Sequence, residues 1–266
     1  MSTLLSRRSL LAAAAALSLS ASGALAQQNQ VIRIGVTPGP HAEIVEQIKP
    51  IIAKKGYELK IFEFSDFVIP NQALDTGDLE ANAFQHQPYL DNQVKDRGFK
   101  IVSVAPTVNF PMGIYSAKHK SWAEVPDGAT VSIQNDPTNG GRALLLLQDK
   151  GVIKLKDGTG FKPTVLDITD NPKKLKIVEI EAGQTVRSLA DVAAAAINTS
   201  YAVDAKLDPN SAILREAPKG PYTNLIAVRS VDKDKPWVQA LVDSYRSPEI
   251  KAFVAERFKG SILPTW

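Results

Sequence analysis

From residue 31 onward, strand-like and helix-like runs alternate, and they do so in two successive series. Residues 31–36 alternate apolar and polar side chains and end in Thr37-Pro38-Gly39-Pro40. Residues 42–55 place Ile44, Val45, Ile48, Ile51 and Ile52 at helical spacing, with Pro50 expected to bend the helix or open a second one. Strand-like 57–64, a short helix over 70–76 stopped by Gly77, strand-like 79–84, a helix over 88–97 ended by Gly98, and strands over 101–108 and 112–116 complete the first series. The second holds a strand over 130–134, a helix over 140–150 closed by Gly151, a strand over 176–180 and an alanine-rich helix over 186–197. A strand over 225–228 and two helices over 236–245 and 248–258, each opened by proline, follow. Strands separated by helices predict open α/β sheets with right-handed crossovers. Two series predict two lobes with a ligand cleft between them. The restart of the pattern puts a boundary near Ser116, while periodicity does not say whether the last helices return to the first lobe; the expected lobes are 27–115 plus about 229–266, and about 116–228.

Residues 1–26 differ from the rest. Arg7 and Arg8 give a basic start, Leu10 to Leu19 an apolar run, and Ala24-Leu25-Ala26 a small-x-small ending. This is the pattern of a secretory signal peptide, and the apolar run is too short for a bilayer span. Ser6-Arg7-Arg8-Ser9-Leu10-Leu11 also resembles a twin-arginine export signal. The chain of 266 residues has 31 basic and 28 acidic side chains. The signal holds two arginines and no acid, so its removal leaves 29 against 28. The excess of base therefore marks export rather than a nucleic-acid partner, and the scattered lysines, such as Lys154 and Lys156 near Asp157, read as a solvated surface. No later run of 18 apolar residues occurs, so a soluble periplasmic protein is expected. The absence of cysteine excludes disulfides, thiolate metal sites and a cysteine nucleophile.

Three strand-to-helix turns carry candidate chemistry, because ligands of open α/β sheets bind at the C-terminal ends of strands. In Phe84-Gln85-His86-Gln87-Pro88-Tyr89 the aromatics either line an apolar pocket, with His86 offering a hydrogen bond, or are core residues beside a histidine that caps the turn. Phe67, in Ser65-Asp66-Phe67-Val68-Ile69-Pro70-Asn71, reads as a core residue or a pocket wall. Asn135-Asp136-Pro137-Thr138-Asn139-Gly140-Gly141-Arg142 joins N-cap residues to glycines that allow close backbone approach. Its Arg142 is placed to grip a carboxylate through two parallel hydrogen bonds, or is a surface arginine. Asn198, at the end of the alanine-rich run, and Asn224, before a strand, offer amides to a head group or serve as helix-end and turn residues. His41 and Glu43 raise a metal, but the three histidines lack a ligand pattern. No metal, cofactor or catalytic residue is expected: there is no nucleophile elbow, and His86 alone does not make a hydrolase.

Taken together, these turns resemble one family. Thr37-Pro38-Gly39-Pro40-His41-Ala42-Glu43-Ile44, Pro70-Asn71-Gln72-Ala73-Leu74, Ala81-Asn82-Ala83-Phe84-Gln85-His86-Gln87-Pro88-Tyr89-Leu90, Pro111-Met112-Gly113-Ile114-Tyr115-Ser116 and Asn135-Asp136-Pro137-Thr138-Asn139 look like the methionine-binding proteins of ABC importers, of MetQ/NlpA type. The likeness covers nearly all of 31–266. It implies a type II periplasmic-binding fold whose two lobes, joined by two crossing strands, close on L-methionine or a close analogue such as a methionine-containing dipeptide. A membrane permease, and through it an ATPase, would be the partners. It further implies that Phe67, Phe84, His86 and Tyr89 form the first-lobe wall, that Arg142 takes the carboxylate, and that Asn198, Asn224 and Asn139 serve the head group. Two departures stand out. Many members carry a lipid on an N-terminal cysteine, and with no cysteine here no lipid anchor is expected. Phe67 stands where a tyrosine is common.

Overall fold

The computed structural model describes residues 30–266, so the expected signal peptide lies outside the described residues. The first series opens with β1 (Gln30–Val36), α1 (Pro40–Ala53), β2 (Tyr57–Glu63), α2 (Ile69–Thr76), β3 (Ala81–Asn82), α3 (Gln87–Arg97) and β4 (Ile101–Asn109). The second runs through β5 (Gly113–Tyr115), β6 (Thr130–Gln134), α4 (Pro137–Asp149), β7 (Lys154–Leu155), β8 (Ile168–Asp170), β9 (Lys176–Ile180), α5 (Thr185–Ser188), β10 (Ala194–Ile197), α6 (Thr199–Asp204) and β11 (Leu214–Arg215). The chain ends with β12 (Thr223–Arg229), α7 (Pro236–Tyr245), α8 (Pro248–Phe258) and β13 (Leu263–Pro264).

The strands form two main sheets, in the orders β13-β4-β12-β3-β1-β2 and β11-β5-β10-β6-β9, with β7 and β8 as a separate pair. Each sheet joins a parallel part, β1 with β3 and β10-β6-β9, to antiparallel strands on one side, β12-β4-β13 and β5-β11. In the first lobe, Ile32, Ile34 and Val36 of β1 pack with Ile44, Ile48 and Ile52 of α1 and with Trp237, Leu241 and Val254 of the last two helices. Those helices thus pack in the core of the first sheet. In the second, Val131 and Ile133 pack on Leu144 and Leu147 of α4. Pro50 lies inside α1, which continues through it to Ala53.

Two expectations are corrected. The stretch 186–197 is not one helix: only Thr185–Ser188 is helical, and Ala194–Ile197 is a strand paired with β5 and β6. All four of its residues are fully buried, because both faces of the sheet are covered. Alternation then vanishes from the sequence, and tertiary packing overrides the helix preference of alanine. The lobe boundaries also shift. β5 pairs in the second sheet and β12 in the first, so the chain crosses between sheets over 110–112 and 216–222 rather than at 115/116 and 228/229. Three residues separate β4 from β5, too few to break the sequence pattern. The two crossing segments hold each other: Glu216 N–H donates to Met112 C=O at 3.0 Å, and Asn109 Nδ2 donates to Pro218 C=O at 2.6 Å.

Candidate functional site

All eight candidate residues line one cavity between the two sheets. One wall is apolar. Phe67 follows β2, Phe84 follows β3 and Tyr89 sits in the first turn of α3. The Phe67 ring lies 5.9 Å from that of Phe84 and 6.1 Å, edge-on, from that of Tyr89, both in the usual aromatic range. Tyr201 of α6 adds a ring 5.0 Å from Phe67, and its hydroxyl reaches across to Ser65 C=O. The strand-to-helix turn beneath is fixed by buried amides: Gln85 bonds Asn71 in both directions and Asn82 once. Tyr89 Oη donates to Phe67 C=O at 2.8 Å, which sets the Phe67 backbone. Tyr89→Phe leaves that carbonyl unpaired, and a loss of about 1–3 kcal/mol in stability is expected from chemical denaturation. An unchanged midpoint would show that the bond does not hold the turn.

His86 both caps α3 and faces the cavity, so the two readings of its turn hold together. Its Nδ1 accepts from Tyr89 N–H at 3.2 Å, and so the ring proton sits on Nε2, which donates to Asn139 Oδ1 at 3.2 Å. That bond joins the first lobe to α4 of the second. The same oxygen accepts from Asn198 Nδ2 at 2.9 Å, while Asn198 Oδ1 accepts from Gln134 Nε2 at 2.8 Å. Asn198 therefore follows a strand and opens α6, rather than ending a helix. Asp136 caps α4 through the amides of Thr138 and Asn139 and also holds Asn139 Nδ2 at 2.9 Å. The glycines serve packing. A Cβ on Gly141 would fall 2.7 Å from Phe161 C=O, where the 157–163 loop seats on the helix.

Arg142 is 3% exposed and already paired. Nε and Nη2 donate to the Glu216 carboxylate at 2.7 and 2.6 Å, and Nη2 also donates to Phe110 C=O at 2.8 Å. The guanidinium lies 4.2 Å from the centre of the Tyr222 ring. The expected two-bond grip on a ligand carboxylate is thus corrected: Glu216 occupies that fork, and among the described residues only Nη1 is left without a partner. Glu216 also accepts from Met112 N–H at 2.7 Å, so Arg142 is tied to both crossing segments.

Burial pushes the imidazoles of His41 and His86 down to about 3, and the nearby Arg142 charge adds to the effect on His86. Both stay neutral in the folded protein through the physiological range. Below about pH 6.5 the unfolded chain binds protons that these folded imidazoles refuse, so stability falls as pH drops toward 3. The slope approaches about 1.4 kcal/mol per pH unit for each histidine. Thermal melts between pH 7.5 and 5 should show this decline, and His86→Gln should lessen it. A flat profile would mean that the imidazoles titrate normally.

His41, Gln85, Phe110, Thr199 and Ser200 also line the cavity and were not anticipated. His41 sits in the first turn of α1, just past the strand-to-helix turn after β1, the same kind of turn as the others, so its position carried the signal. Its metal reading fails in geometry, because Glu43 turns away to Arg257 at 2.6 Å. Among the described residues no group of three or more His, Asp or Glu side chains is placed to hold a metal. Glu216 had no signal, since it meets Arg142 from 74 positions away.

Residues 32–266 match the model of the NlpA lipoprotein family. The chain is 47% identical over 239 residues to the D-methionine-binding lipoprotein MetQ of Escherichia coli K12, covering 88% of each chain. Its fold matches a nutrient binding protein from Burkholderia cenocepacia, solved bound to methionine, at 53% identity and a TM-score of 0.86, over 88% of this chain and 100% of that one. A periplasmic substrate-binding protein of an ABC transporter from Coxiella burnetii matches at 43% identity and a TM-score of 0.84, with 88% and 100% covered. Match and cavity agree in extent, each drawing on both lobes, and the chain belongs to the NlpA lipoprotein family.

Proposed function

We propose that this chain is the substrate-binding component of an ABC importer, that it captures free methionine in the cleft, and that it hands the ligand to a membrane permease coupled to an ATPase. The relatives are named as binding and transport components rather than as enzymes. The observation that carries the reading is one cavity with two chemistries. The Phe67, Phe84 and Tyr89 wall suits a polarizable thioether, and Arg142 and Asn198 of the second lobe, with Asn224 beside Phe84 in the first, suit a zwitterionic head group. Arg142 is the one lysine, arginine or acid among the described lining residues, and Glu216 balances its charge. A ligand with no net charge fits that balance. Residues 1–26 direct the protein to the periplasm, with Arg7 and Arg8 a candidate twin-arginine pair. These 266 residues hold no cysteine to carry a lipid, in contrast to the relatives named lipoproteins.

Calorimetry on protein unfolded and refolded to strip carried-over ligand tests this, with L- and D-methionine titrated separately. Saturable one-to-one binding of either is the expected result, and binding of neither removes the reading. Mass spectrometry of ligand released from denatured protein distinguishes free methionine from a methionine-containing dipeptide.

A further inference from the structure

We infer that His41 is a positioning residue for ligand capture: as a neutral hydrogen-bond acceptor, it turns the Asn224 side chain so that the amide oxygen meets the ligand's ammonium group. The inference rests on the amino-acid reading above and assigns an atom-level role within it.

The geometry leaves one arrangement. Asn224 Nδ2 lies 3.2 Å from Phe84 C=O, and a carbonyl only accepts. That end of the amide must therefore be the NH2 group. The same nitrogen lies 3.3 Å from His41 Nε2, so Nε2 must accept and the ring proton must sit on Nδ1. This is the opposite tautomer to that of His86, whose Nδ1 accepts from Tyr89 N–H. With both protons of Nδ2 committed, Asn224 Oδ1 is the free end, and it accepts no hydrogen bond among the described residues. A carbonyl-type oxygen in a cavity lined by Asn224 and His41 is an ammonium acceptor.

His41 is itself held in place. It is 2% exposed, its ring lies 4.5 Å from that of Phe110, and it occupies the first turn of α1 directly after the Gly39 turn. Gly39 adopts φ 75° and ψ −131°, which a side chain would resist, and Asp204 closes on it from α6. The geometry of the amide thus depends on a histidine fixed by three separate elements. Loss of the acceptor leaves only the Phe84 carbonyl to hold the NH2 end, and in the turned-over amide an NH2 facing an ammonium repels it.

The test compares L-methionine with 4-(methylthio)butanoate, which keeps the thioether and carboxylate and lacks the amino group. His41→Phe keeps the ring stack and removes the acceptor. It should weaken methionine binding at least tenfold and leave binding of the des-amino acid within twofold. His41→Gln restores an acceptor near the Nε2 position and should bind methionine within about threefold of wild type. Equal losses for both ligands, or no loss for either, would overturn the assignment. Should His41→Phe fail to fold, nitrogen-15 spectra of the wild-type imidazoles decide instead: the inference requires a bare Nε2 and a protonated Nδ1 on His41, and the reverse pattern overturns it. Wild-type protein that binds no amino acid overturns the ligand reading, and this inference with it.

Discussion

Arg142→Ala is expected to lower methionine affinity by about 2–5 kcal/mol, or from about 30-fold to several thousandfold, and to destabilise the protein at the same time. The binding loss follows from removing the charged donor of the cavity, whose Nη1 is the donor left for a carboxylate. The stability loss has a different origin. Glu216 has a side-chain exposure of 16%, and without Arg142 its carboxylate keeps only the Met112 amide as a partner. Stranding one partner of a fully buried pair costs about 3–5 kcal/mol, and the residual exposure of Glu216 places this case at the low end. For a chain of this size, about 3 kcal/mol lowers the melting midpoint by roughly 6–12 °C. The double variant Arg142→Ala/Glu216→Ala separates the two effects. It removes the stranded carboxylate and should regain much of the melting midpoint while binding no better than the single variant. Calorimetry and thermal melts on the two proteins check this. Wild-type affinity in Arg142→Ala would remove the carboxylate assignment. A double variant less stable than the single would show that Glu216 supports the crossing segments without Arg142.

That pair also marks where sequence reading stops. The turns were legible because each element ends on a recognisable residue. Gly77 and Gly98 take left-handed conformations after α2 and α3, and Asp136 and His86 cap α4 and α3 through side chains. Local chemistry fixed these positions, so the residues just beyond them fell at strand ends, where ligands bind. The alanine strand was illegible for the opposite reason: nothing local separates a buried strand from a helix when its side chains, three alanines and an isoleucine, are all apolar. Strands of two or three residues, β7, β8, β11 and β13, offer no period to detect. The partners of the site residues were hidden in another way. Glu216 reaches Arg142, and His41 reaches Asn224, across 74 and 183 positions. Such pairings are made by the sheet order and the two crossings, which no local pattern encodes.

Gly140→Ala is the second substitution with a large expected effect, and it acts through backbone rather than through a lost contact. A Cβ at this position would fall 2.5 Å from Gln134 C=O, the last residue of β6, well inside van der Waals contact. The obstructing atom is backbone of an interior strand, since β6 is paired on both sides by β9 and β10. It cannot swing aside as a flexible side chain would. The helix must move instead, and overpacking of this kind costs about 1–3 kcal/mol, occasionally more. Alanine in place of glycine returns about 1 kcal/mol of helix preference. With a rigid obstacle the cost takes the upper end, and a net loss of about 2 kcal/mol is expected. A loss of function should accompany it. Asn139 and Arg142 flank the position on the first turns of α4, one holding the His86 bond across the cleft and the other the charged donor. A shift of a few tenths of an ångström in α4 lengthens both sets of bonds together, and methionine binding is expected to fall at least tenfold. Calorimetry beside a denaturant melt reads both effects on one sample. Wild-type affinity with wild-type stability would mean that α4 is not seated against β6 as closely as 2.5 Å requires.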